Sequence, residues 1–119
     1  MIKEAYCSFK VAKLLKEKGF DELCIYYYKD GALMFNPFLK GRNSYQTDTC
    51  SAPTHQMAMK WLREIYNIDI ITFHEKLPND CYWARIERNL STEFEQEPEY
   101  NSYEDAVEAA IKYCLENLI

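Results

Sequence analysis

The side chains best suited to metal or covalent chemistry in this 119-residue chain are five cysteines, Cys7, Cys24, Cys50, Cys81 and Cys114, and two histidines, His55 and His74. Cys50, His55, His74 and Cys81 have the ligand types that zinc prefers, but their first pair is C-x4-H and the chain has no C-x-x-C pair. An odd number of widely spaced cysteines also argues against a disulfide framework, so reduced, unmetallated thiols are expected. A Cys50 nucleophile with His74 as its base is a second arrangement, resting on residue types alone. Glycine-rich phosphate loops, G-x-S-x-G, H-E-x-x-H and EF-hand ligand series are absent. No catalytic, cofactor-binding or metal-binding residue is therefore expected, and a non-enzymatic protein without a cofactor is expected.

Two other patterns suit recognition. Glu93, Glu95, Glu97 and Glu99 alternate with Phe94, Gln96, Pro98 and Tyr100. In an extended chain, residues two apart point the same way at roughly 6.5–7 Å, so the four carboxylates would form a one-sided ladder. That repeat is close to the phosphate spacing of a nucleic-acid strand and would suit a basic protein partner. The plainer alternative is a solvated acidic loop that keeps the chain soluble. The second pattern is Tyr26-Tyr27-Tyr28, where alternation sends Tyr26 and Tyr28 to one face of a strand and Tyr27 to the other. A tyrosine-bearing face left open by the helices would suit a partner or a second copy of the chain. The plainer alternative is that the rings cover a thin sheet edge with their hydroxyls in water.

Three helices and two hairpins must position these residues. Val11, Leu14 and Leu15 recur at helical spacing after Ser8 and before Gly19; Met57, Ala58, Trp61, Leu62 and Ile65 do so after Thr54; and Val107, Ala110, Ile111, Cys114, Leu115 and Leu118 do so after Ser102. Ser51 with Pro53 is an alternative start for the second helix. Cys24–Tyr28 and Ala32–Phe35 flank Lys29-Asp30-Gly31, whose Asp-Gly signals a hairpin. Ile68–His74 and Cys81–Glu87 flank the longer turn Leu77-Pro78-Asn79-Asp80. The order α-β-β-α-β-β-α predicts a single α+β domain over residues 1–119, with three helices on one face of an approximately four-stranded antiparallel sheet. The polar stretch Asn36–Ser51 and the acidic stretch Asn89–Asn101 are expected to be connections, the first mobile and the second partly disordered.

Composition sets the outer bounds. Hydrophobic residues make up 48% of the chain and charged residues 28%, the balance of a soluble domain able to bury a core without staples. The longest apolar stretch, Leu23 to Tyr28, is far short of the roughly 20 residues of a membrane span, and the first 15 residues lack a secretory pattern, so a cytoplasmic protein with no membrane association is expected. The net charge is -5, against what counterion-release binding to duplex nucleic acid needs. Charge is unevenly spread: residues 1–20 hold five lysines and two glutamates, whereas residues 92–119 hold eight acids and one lysine.

The segments SFKVAKLLKEKGFDE (8–22), APTHQMAMKWLRE (52–64) and YEDAVEAAIKYCLENLI (103–119) resemble a family of short uncharacterised proteins found in phages and mobile elements of gut anaerobic bacteria. They coincide with the three amphipathic helices, so the resemblance implies a shared fold and carries no residue role. It implies a small accessory protein of a phage or mobile element acting through protein–protein interaction. The alternative is a regulator of nucleic-acid transactions, by acidic mimicry or through Lys10, Lys13 and Lys16 of the first helix. Glu93, Glu95, Glu97, Glu99, Tyr26 and Tyr28 are the expected interaction residues, towards a partner that is basic or a second copy.

Overall fold

Each helix starts where a hydroxyl side chain can satisfy a backbone donor of its open first turn. Ser8 Oγ accepts from Val11 N at 3.2 Å, Thr54 Oγ1 from Met57 N at 3.1 Å, and Ser102 Oγ from Asp105 N at 3.0 Å. The helices are α1 (Phe9–Glu17), α2 (His55–Tyr66) and α3 (Tyr103–Asn117). Thr54, rather than Ser51, caps α2. The computed structural model describes residues 2–35 and 41–119. These fall into two compact units, Met1–Met57 and Ala58–Ile119. The fold is α+β and its strands pair antiparallel, in two three-stranded sheets where one sheet of about four strands was expected. Each hairpin gains a third strand from a segment expected to be a connection.

In the first unit α1 ends in a Schellman arrangement, with Gly19 at φ 95° and the Phe20 N–H donating to Leu15 O at 2.9 Å, which turns Phe20 fully inward. Strands β1 (Tyr26–Lys29) and β2 (Ala32–Phe35) are joined by Asp30 (φ 51°) and Gly31 (φ 79°), both left-handed as a two-residue turn requires. The third strand, β3 (Thr49–Ser51), pairs with the other side of β1. A one-turn 3-10 helix at Asn43–Tyr45 leads into it. Buried Asn43 joins these pieces: its Nδ2 donates to Phe20 O and its Oδ1 accepts from Ser51 N, each at 2.8 Å. Lys16 Nζ reaches from α1 to Gln46 O (2.9 Å) and Thr49 O (2.7 Å). Asp21 accepts from Ser44 N at 2.7 Å, a bond that lowers its carboxyl pKa. Residues 41–51, expected to be mobile, are thus held by side-chain hydrogen bonds; residues 36–40 of that stretch lie outside the described residues.

In the second unit β4 (Ile68–Glu75) and β5 (Cys81–Arg88) pair along their whole length, from Ile68 opposite Arg88 to Glu75 opposite Cys81. Asn89 (φ 52°) and Leu90 (φ 67°) turn the chain into β6 (Ser91–Glu95) on the far side of β5. The inner sheet face carries Ile68, Ala84, Ile86, Phe94 and Gln96, and α3 lies against β4 and β5. Phe94 stacks on Tyr113 of α3 at 4.1 Å between ring centroids, and Arg88 Nη2 donates to Leu118 O at 2.6 Å, bringing a cation to the helix C-terminus. Buried Gln96 accepts from Ala84 N (2.7 Å) and donates to Ala106 O (2.9 Å), tying the chain beyond β6 to both β5 and α3. Tyr100 then exchanges backbone hydrogen bonds with Tyr82. Most of the acidic connection is therefore paired structure.

Of the expected core, Val11, Leu15, Trp61, Leu62, Val107, Ala110, Ile111 and Cys114 are buried, while Leu14 is half-buried and Ile65 is 60% exposed. The buried stripe of α2 runs through His55, Ala58, Met59 and Leu62 towards Tyr66, which rotates Ile65 to its margin. Among the described residues no helix is long and apolar enough to cross a membrane.

Candidate docking face on the second sheet

The strand pattern that turns Ala84 and Ile86 towards α3 turns Trp83, Arg85 and Glu87 the other way. Register then sets Phe73 opposite Trp83, Ile71 opposite Arg85, Asp69 opposite Glu87, and Glu95 of β6 opposite Arg85 on its other side. The outer face is therefore an aromatic pair with one arginine, bordered by Asp69, Glu75, Glu87 and Glu95. Phe73 and Trp83 stack at 4.4 Å and 19°. The Arg85 guanidinium stands 5.1 Å from the Phe73 ring centre, and its Nε lies 2.8 Å from Glu87 Oε2. Trp83 Nε1 donates to Glu75 Oε1 at 3.0 Å. Ile71, Phe73, Trp83 and Arg85 are half-buried, and Asp69, Glu75 and Glu95 are exposed.

Two features of this face cost stability. Asp69 and Glu87 are like charges at directly paired positions, an arrangement that destabilises a sheet. Four carboxylates share the face with one guanidinium, leaving an excess of negative charge around two aromatic rings. Local rules are broken most readily where a surface has a task besides folding.

The expected interaction residues are placed as follows. Glu93, Glu95, Glu97 and Glu99 are all exposed, but they form no single ladder. The register of β6 shifts between Ile86 and Glu87, leaving Glu93 as the extra residue, and the strand ends at Glu95. From Gln96 opposite Ala84 to Tyr100 opposite Tyr82 the chain takes four steps where regular pairing takes two, so Glu97, Pro98 and Glu99 bulge out. Inward anchoring of Phe94, Gln96 and Tyr100 thus breaks the even spacing. Only Glu95 stands in strand register with the outer face.

Tyr26 and Tyr28 share a face, as alternation requires, and that face is occupied inside the first unit. Tyr26 lies 4.7 Å from the Tyr6 ring and 5.1 Å from Phe35. Tyr28 lies 5.5 Å from Phe9, and its hydroxyl donates to Cys7 O at 2.6 Å. These tyrosines fix the N-terminal segment to the sheet.

The metal and thiol candidates are placed as follows. All five cysteines are buried and none is joined in a disulfide. Burial pushes the Cys24 thiol up to about 11 and Cys114 up to about 12, and raises Cys50 against the opposing influence of Lys16 and Lys13. These thiols are protonated at neutral pH, the opposite of an activated nucleophile. His74 stacks on Tyr82 at 4.2 Å and sets Nε2 2.5 Å from Asp80 Oδ1. His55 is buried in the first turn of α2, where its backbone N–H donates to Ala5 O at 2.8 Å.

The Trp83 face went unread in the sequence, although a signal was there. Placing IDIITFHE against CYWARIER across the turn brings Phe73 opposite Trp83 and Asp69 opposite Glu87. Compared with protein-family models, curated proteins and solved structures, the chain matches none.

Proposed function

We propose that this chain is a non-enzymatic accessory protein, of the phage and mobile-element kind its helices resemble, that acts in the cytoplasm by binding a basic protein through the outer face of β4–β5–β6. The observation that supports this reading is the aromatic pair Phe73–Trp83 set among Asp69, Glu75, Glu87 and Glu95. An aromatic centre supplies apolar contact area, and a charged rim supplies steering and selects the sign of the partner. Mimicry of a nucleic-acid strand by four evenly spaced glutamates draws less support, because β6 ends at Glu95.

The test is a pull-down from host lysate with and without nuclease, using the natural chain and the variant Asp69→Asn/Glu75→Gln/Glu95→Gln. A basic protein retained after nuclease by the natural chain and lost by the variant is the expected result. Retention by both would remove this face from the reading. Loss on nuclease treatment would replace a protein partner with nucleic acid.

A further inference from the structure

We infer that the outer face of the second sheet reads arginine, and that the basic partner seats a guanidinium against the Phe73–Trp83 stack with Glu75 as its counter-ion. The inference rests on the reading of this face as a site for a basic protein, and names the side chain recognised. The chain's own Arg85 shows the arrangement: a planar cation 5.1 Å from Phe73, with a carboxylate two residues along the strand at 2.8 Å. The other half of the stack repeats those parts, with no cation against it among the described residues. Trp83 is half-exposed, and Glu75 stands two residues from Phe73 on the same face of β4.

Among the described residues Glu75 is engaged through Oε1, by the indole N–H at 3.0 Å, and an ionised carboxylate has acceptor capacity for further donors. A guanidinium can stack on the ring and direct an N–H at that carboxylate together; an ammonium is a compact, strongly hydrated point charge that gains less from a flat aromatic face. Glu75, exposed beside the Trp83 indole, supplies the charge complementarity at the seat itself, and the other acids of this face add to it only at longer range.

The experiment compares nona-arginine with nona-lysine, which carry equal charge, by isothermal titration calorimetry against the full chain at about 0.1 M salt. Nona-arginine is expected to bind about two- to fivefold more tightly, the range of one cation–π contact at a partly exposed site. Glu75→Gln and Trp83→Leu should each abolish that preference while changing nona-lysine affinity less. Asp105→Asn/Glu116→Gln, which removes two charges from α3, should keep it. Amide chemical-shift changes should centre on residues 71–75 and 81–87. If Trp83→Leu lowers the melting temperature, Glu75→Gln alone decides. Equal binding of the two peptides on this face would overturn the arginine reading and leave a basic partner standing. Binding of neither, or shifts centred elsewhere, would remove both.

Discussion

Among the described residues Leu90 has the least comfortable backbone. It sits at φ 67° at the tip of the β5–β6 turn with its side chain fully exposed, so it takes a left-handed conformation and gains no burial in return. A left-handed non-glycine residue costs roughly 1–2 kcal/mol, and glycine would return part of that gain through its unfolded-state freedom. Leu90→Gly should therefore raise stability by about 0.5–1 kcal/mol, read as a higher midpoint in urea with an unchanged slope. This is also why the hairpin was illegible: Asp30-Gly31 announces a left-handed turn, and Asn89-Leu90 does not. The buried thiols carry a second prediction at this scale. Cys24 and Cys114 titrate in the folded chain at about 11 and about 12, against an ordinary 9.0. Their folded values lie above the unfolded one, so their contribution is intact below about pH 9 and is lost as pH rises from there towards 11–12. Alkaline melting curves should show that loss, and Cys114→Ser should weaken its pH dependence. At neutral pH a thiol reagent should react with all five cysteines only on unfolding.

Among the elements, helices were the most legible, because capping hydroxyls and apolar periodicity are local: Ser8 and Ser102 cap as expected, and of the two starts open for the second helix it is Thr54 that caps. The third strand of each sheet was not. β3 depends on Asn43 reaching Phe20 and Ser51, and the chain after β6 depends on Gln96 reaching Ala84 and Ala106; such bonds span long stretches of chain and leave no local pattern. Gln96 also sat in an acidic run where a polar residue reads as solvated, although it is buried. Removing its side chain leaves the Ala84 N–H and the Ala106 carbonyl without their side-chain partner, each costing about 1–3 kcal/mol. Gln96→Ala should thus destabilise the chain by about 2–6 kcal/mol. Hydrogen exchange at Ala84 should accelerate more than at Ile86. A loss below about 0.5 kcal/mol would show that water replaces both bonds.

At the scale of the whole molecule, charge is divided as the sequence indicated, with lysines early and carboxylates late, and the two sheets treat their free margins differently. β6, at one margin of the second sheet, carries Glu93 and Glu95. β2, at a margin of the first, reads Ala-Leu-Met-Phe, with all four residues exposed and Phe35 at 55%. Unpaired backbone groups on an uncharged apolar strand are a template for another strand, whereas glutamates on such a strand resist it. The weak point of this chain in concentrated solution is therefore β2, and the remedy is the one β6 already carries. Met34→Lys, on a residue 40% exposed, should lengthen the lag before light scattering appears at high protein concentration and leave the melting temperature of dilute samples nearly unchanged. The handling properties of the protein, its shelf life and the concentration at which it first clouds, would then be governed by four residues of the first unit, whereas the face proposed to bind a partner belongs to the second.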